Sequence, residues 1–464
     1  MIGPRENKPN RTPIPLAIRV SARHTVRVES PLTPILSTNL ASLLDTQTTL
    51  SHATFSSPGF RLSGGATSAF VLFLLLGLLL AAPLLAQTAR RVSGFALANP
   101  EPKKIIIDQD CAGPGGTDMQ ALLTIINSPE TDVLGITVVT GDAWRDEEVA
   151  HTLRLLEIIG RTDIPVLPGA VFPIVNSKAA VAEWEKKYGP VEYQGAWNFG
   201  RPVHGPWEIP PLPEGAPTTK ASTEDAAHFL VRMVHKYPHE VTIYEGGPLT
   251  NLALAQTIDS QFASLAKELI LMGGSIHPET TDPEFTKNPH REFNLWMDPE
   301  ASRCVLRAPW PRIVVTTVDI SVKTNMDKSL VAQIAKGTSP SAQYVAKYAT
   351  ECTYQCYLWD ELAAAAWLDP TIITKSKKMY LDVSLDRRAS YGNTLAWEPG
   401  KQVIFTQENL PGPPVHVPVP DPQEQPVIHG TLAEVQEDLD LAKFYKEFVA
   451  LMTAQAPHAH GSTN

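Results

Sequence analysis

From residue 103 onward the chain alternates between two hydrophobic patterns: short continuous apolar runs of strand length, and longer stretches with apolar residues three and four apart. Ile105, Ile106 and Ile107 form the first run, a short buried strand that ends in Asp108-Gln109-Asp110. The pattern then predicts a helix over 119–127, a strand over 133–139, and a helix over 147–159. The last of these has Glu147 and Glu148 in its first turn and Gly160 as its stop. Further strands are predicted at 166–167, 241–244, 268–272 and 313–318, the last ending at Asp319. Further helices are predicted over 223–236, most of 341–367, and an amphipathic closing segment at 438–452. Residues 171–221 and 410–428 are too rich in proline or glycine for regular structure and read as an irregular insert and an extended loop. This alternation predicts an α/β fold, a mainly parallel central sheet with helices on both faces, Rossmann-like in plan. Acids and glycines fall repeatedly at strand C-terminal ends, which places one shared crevice there.

The front of the chain reads differently. Residues 1–67 are rich in Ser, Thr, Pro and Arg without a sustained period, as a disordered leader or a misassigned start would be. Residues 68–86 are apolar but interrupted by Pro83, short for a membrane span and suited to a signal segment, with Ala86-Gln87 as the cleavage point. Export to a periplasmic or secreted location is therefore expected. The alternative is a membrane anchor through 69–86. A single domain is expected over 95–455, with a disordered tail at 456–464.

Composition narrows the partners. The 464 residues are 43% hydrophobic, enough for a large core, and the net charge of −10 without a basic stripe argues against nucleic acid. No Cys/His spacing suits zinc. Cys111 lies in an acidic loop with no paired base and reads as a small buried side chain. Cys352 and Cys356 could share a helix face, and Cys304 falls in a predicted helix.

The candidate chemistry centres on 103–121. Asp108, Asp110 and Asp118 gather where a strand tip meets a helix N-terminus. Such acids repel one another unless a cation sits among them, and hard oxygens on a flexible loop suit Ca²⁺ or Mg²⁺. The alternative is a strand-end turn with solvated acids. Asp360, ahead of an alanine-rich run, is either a ligand or a helix cap. Asn251 could cap the helix that follows it, and His277 and His290 lie in a loop that could form a lid.

The fragments IIIDQD, TDMQALL, GITVVTGD, GGPLTN, MGG, REFNLWMDPEA and WDELAAAAWLDP occur in this order. Together they resemble the inosine–uridine-preferring nucleoside hydrolases, with the likeness extending over about residues 103–452. The resemblance implies Ca²⁺-dependent hydrolysis of the N-glycosidic bond of ribonucleosides. It implies a metal set of Asp108, Asp110, Asp118, the Gly246 carbonyl and Asp360, with Asp110 also taking the proton from the attacking water. Glu292 and Asn294 match ribose-binding residues, and their spacing would put both side chains on one side of an extended segment. Thr117 stands where the family carries a ribose-contacting acid, and Asp142 where it usually carries Asn. Trp359 replaces a histidine proposed in the family as acid for the leaving base. Activation of that base would then come from aromatic stacking, with Trp359, Trp296, Tyr354 and Tyr357 as candidates, from another residue on the lid, or from the base itself, and purines are expected to be favoured. The chemistry wants these residue types: a carboxylate to take a proton from water, a cation to acidify it, and polar groups that hold the sugar as oxocarbenium character builds. The expected partners are a nucleoside and further copies of the chain, as a dimer or tetramer. The alternative function, fed by Thr117 and Trp359, is a non-catalytic or retargeted member that binds nucleosides or other ribosyl compounds.

Overall fold

A computed structural model describes residues 101–198, 203–349, 356–399 and 431–457. The expectations for the leader, the 68–86 segment, the 410–428 loop, Cys352, Tyr354 and most of the tail lie outside those residues. None of the helices among the described residues is long and apolar enough to cross a membrane.

Nine strands form one sheet: β1 (Lys103–Gln109), β2 (Thr131–Val138), β3 (Val166–Pro168), β4 (Thr242–Glu245), β5 (Glu268–Met272), β6 (Ile313–Thr316), β7 (Ile373–Val383), β8 (Thr394–Trp397) and β9 (Ala433–Leu439). Their spatial order is β3-β2-β1-β4-β5-β6-β9-β7-β8. β1 to β6 and β9 run parallel, while β7 pairs antiparallel with both β8 and β9. The mainly parallel α/β sheet is thus as the sequence pattern implies. The order changes direction at β1, which pairs with β2 on one side and β4 on the other. That is the switch point where open sheets of this kind leave a crevice.

The period of two along a strand sends successive side chains to opposite faces. Ile105 and Ile107 enter one hydrophobic layer, under helices Thr117–Ile126, Arg145–Ile159, Trp359–Leu368 and Leu441–Thr453. Ile106 enters the other, under helices Ala226–Lys236, Thr250–Ile258 and Pro299–Leu306. All three isoleucines are buried because both faces are covered, which is why β1 reads as a continuous apolar run.

Several elements depart from expectation. The 171–221 insert contains a helix, Lys178–Tyr188, started by Ser177, whose hydroxyl accepts from the Ala180 amide at 3.2 Å. The sixth strand ends at Thr316, and Val318–Ser321 is already helical. The closing helix starts at Leu441, capped by Asp440, because the preceding residues are taken up by β9. β7, β8 and β9 carry no clear apolar period. Their faces are largely half-buried or exposed, with Lys375 paired to Glu437 at 2.8 Å.

Candidate active site

A cavity of about 420 Å³ opens over the C-terminal ends of β1, β2 and β4. Its wall includes Asp110, Thr117, Asp118, Asp142, Gly246, Glu292, Asn294, Trp359 and Asp360, so nine of the sequence-selected residues meet in one place. Asp110 follows the last residue of β1 and is 1% exposed. Gly141 and Gly247 let the backbone close around it. A Cβ on Gly141 would stand 2.0 Å from Asp110 Oδ2, and one on Gly247 would stand 3.0 Å from Oδ1. The Asp142 amide donates to Asp110 Oδ2 at 3.1 Å, fixing the carboxylate toward the cavity.

Asp118 and Asp360 come from the first turns of two packed helices, Thr117–Ile126 and Trp359–Leu368. The Tyr244 hydroxyl, on β4, donates to the Asp360 carbonyl at 2.8 Å and pins that helix start over the sheet. Thr117 lies within hydrogen-bond distance of both Asp360 Oδ2, at 3.1 Å, and Glu361. Its single hydroxyl proton serves one carboxylate at a time. Gln109, which the sequence reading left without a role, donates from its carboxamide to Asp118 Oδ1 at 2.9 Å. Only its place between two acids in DQD marked it.

Burial and mutual repulsion dominate the electrostatics. Burial first, then the charges of Asp142, Asp118, Glu148 and Asp360, push the Asp110 carboxyl well above its ordinary range. Asp118 is raised by burial, Asp142 and Asp360. Burial and Asp142 lift Asp360 to about 7. A divalent cation would relieve this repulsion. Among the described residues no three His, Cys, Asp or Glu side chains already stand in a closed metal-binding arrangement. The donor set nonetheless fits a hard cation, since Asp360 Oδ1 and Gln109 Oε1 are buried and accept no hydrogen bond. Both are unsatisfied acceptors beside carboxylates, with Gln109 Oε1 against the Gly246 backbone. The Gly246 carbonyl accepts from Asn294 Nδ2 at 2.9 Å and keeps a second lone pair.

Other selected residues sit elsewhere or differently. Asp108 does not join the cavity wall. It accepts from Thr137 at 2.6 Å and from Asn251 Nδ2 at 3.0 Å, with burial lifting its carboxyl to about 7. Asn251 lies inside its helix rather than capping it, and its Oδ1 accepts from the Ala170 amide at 2.8 Å. It therefore ties the ends of β1 and β3 together. Glu292 and Asn294 do not lie on one extended segment. Glu292 is the N-cap of helix Phe293–Met297, its oxygens accepting from the amides of Gly274, Asn294 and Leu295 at 2.9, 2.7 and 3.1 Å. His277 and His290 pack against each other, ring centroids 5.2 Å apart, and do not line the cavity. Cys111 is a buried free thiol whose pKa burial pushes up, as expected of a packing residue.

The aromatic wall is only partly the expected one. Trp359 lines the cavity, packed edge-on to Tyr357 at 4.9 Å and tilted to Phe285 at 5.9 Å. Trp296 instead packs beneath the wall against Trp197 and Phe293. Tyr193, from the long insert, and Phe293 line the cavity and were not anticipated. The Tyr193 hydroxyl donates to Asp142 Oδ1 at 2.6 Å. A lone tyrosine in an irregular stretch carries no sequence signal for this placement.

Comparison with known proteins agrees with this geometry. The family described as inosine-uridine preferring nucleoside hydrolase matches residues 105–445. Uridine nucleosidase 1 of Arabidopsis thaliana is 30% identical over 284 residues, covering 59% of this chain and 76% of the relative. Among solved structures, a plant nucleoside hydrolase superposes with a TM-score of 0.56 at 24% identity, covering 76% of this chain and 99% of that one. A purine-preferring ribonucleoside hydrolase from Gardnerella vaginalis gives 0.53 at 21%, covering 76% and 98%. At these identities the two structures speak for the fold, and the family match spans well over half of the chain. With the acid-lined cavity in the place the fold provides for a ligand, the chain belongs to the inosine-uridine preferring nucleoside hydrolases.

Proposed function

We propose that this nucleoside hydrolase cleaves ribonucleosides to base and ribose in a calcium-dependent reaction in which Asp110 takes the proton from the attacking water. The observation that carries this reading is the meeting of Asp110, Asp118 and Asp360 in one cavity with buried, unsatisfied acceptor oxygens on Asp360 and Gln109. Asp110, Asp118, Asp360 and the Gly246 carbonyl would hold the cation, and Asp108 would support them from behind through Thr137 and Asn251. When bound, calcium supplies a fixed positive charge that acidifies a neighbouring water. Asp110, cradled by Gly141 and Gly247, is oriented to accept that water's proton. Asn294 and Asp142 offer polar contacts to the sugar hydroxyls, so binding energy acts near the reacting carbon. Phe293, Tyr193 and Trp359 enclose the base and exclude water. The expected small-molecule partner is a nucleoside; assembly as a dimer or tetramer, and export through 68–86, are part of the same proposal.

The test is release of reducing sugar from a panel of purine and pyrimidine ribonucleosides, with and without chelator. Hydrolysis that is lost on chelation and restored by Ca²⁺ is the expected result. A protein that binds nucleosides but releases no sugar with calcium present would fit the retargeted alternative instead.

A further inference from the structure

Trp359 cannot donate a proton to a departing base as an imidazole would, so the cavity needs another donor or none. We propose that Glu284 is the acid that protonates the leaving base, an assignment that rests on the hydrolytic reading above. Glu284 sits in the short helix Pro283–Lys287, in the loop after Gly273-Gly274, and lines the same cavity as Asp142 and Trp359. Its position is set from both sides. Asp282 caps the helix by accepting from the Glu284 amide at 3.0 Å, and the next residue, Phe285, is 5% exposed and packs against Trp359.

The neighbouring carboxyls of the wall are engaged. Asp142 accepts from Tyr193, Glu292 from three backbone amides, and Asp360 contacts Thr117. Among the described residues no hydrogen bond engages the Glu284 carboxyl, and Glu284 is part of the cavity wall. The charged groups around it are Asp282 from its own turn, Glu292 from the next segment and Asp142 from the loop after β2, opposed by Arg291. Burial first, then these acids, push its carboxyl up to about 8. A carboxyl that keeps its proton near neutrality is a hydrogen-bond donor and a general acid.

The step balances. The C1′–N bond breaks and both its electrons go to the base. The Glu284 proton passes to a ring nitrogen or carbonyl oxygen of that base. The water oxygen bonds to C1′ and its proton goes to Asp110. Glu284 is left as carboxylate and Asp110 protonated, and exchange with solvent resets both. Nucleoside and water become base and ribose.

The experiment compares natural nucleosides with 4-nitrophenyl β-ribofuranoside, whose phenolate leaves without being protonated. Glu284→Gln is expected to lower kcat on nucleosides by about 100-fold or more while turnover of the nitrophenyl substrate changes little. That second activity also shows the variant to be folded. The parent's kcat/KM on nucleosides should fall above about pH 8 as Glu284 ionises, and the variant should lack that alkaline limb. Equal losses on both substrates would overturn the proposal and make Glu284 a ribose contact. No loss on either would make it a bystander. A parent that cleaves neither substrate would sink the hydrolytic reading itself, an outcome distinct from these two.

Discussion

Asp110 has two tasks on this account, holding a cation and accepting a proton, and a single substitution separates them. Asp110→Asn leaves an amide oxygen for calcium but cannot take a proton. We expect calcium affinity to fall modestly and kcat to fall by on the order of 100-fold or more. Near-parental kcat in that variant would place water activation elsewhere. Trp359 poses a second question at this scale, because it both lines the cavity and packs on Phe285 and Tyr357. If its face stacks on the base and raises base-nitrogen basicity, Trp359→Ala lowers kcat more than it raises KM, and purines suffer most. If it only packs, the melting temperature falls and the folded enzyme keeps its kcat. Measuring both quantities on one preparation distinguishes the two. The acids of this site were legible because buried strands advertise themselves as apolar runs and their ends fall where the fold binds ligands. Tyr193 and Glu284 were not, since each is one residue in an insert or loop segment whose path depends on tertiary packing. Phe293 was passed over because an extended segment would turn it away from Glu292 and Asn294, whereas the segment is helical.

Among elements, the loops after β1, β2 and β4 set the spacing of the site. Gly141→Ala would place a methyl carbon 2.0 Å from Asp110 Oδ2, so either the loop or the carboxylate must move. We expect a folded protein with kcat lowered at least tenfold, and unchanged kcat would show that the cradle does not position Asp110. The closing helix Leu441–Thr453 packs on the helices that carry Asp118 and Asp360. Phe448, fully buried there, should cost about 3–5 kcal/mol on truncation to alanine, read as a lowered denaturation midpoint. The parallel strands of the core were readable because both faces are covered. β7 and β9 were not, because along their shared ladder many side chains stay half-buried or exposed and lysines face acids, as Lys375 faces Glu437, so no apolar period shows. The helical start at Glu292 escaped for a related reason: an acid two residues before Asn fits an extended segment and an N-cap equally well, and only the amides of Gly274, Asn294 and Leu295 decide.

For the whole molecule, the family and its α/β plan were visible in the order of short motifs. Quaternary state and destination are matters beyond those motifs. Export predicts that native protein begins near Gln87, and N-terminal sequencing that found residues ahead of Ala69 would favour an anchor instead. Calcium should also act on the molecule as a whole. A ligand bound by the folded state alone raises the unfolding temperature with concentration, so the metal-stripped protein should gain thermal stability on adding Ca²⁺. Calorimetric titration of calcium into the stripped parent and into Asp118→Ala tests the central claim most directly. The account predicts a single calcium site in the parent and loss of tight binding in the folded variant. Equal affinity in the two proteins would contradict it.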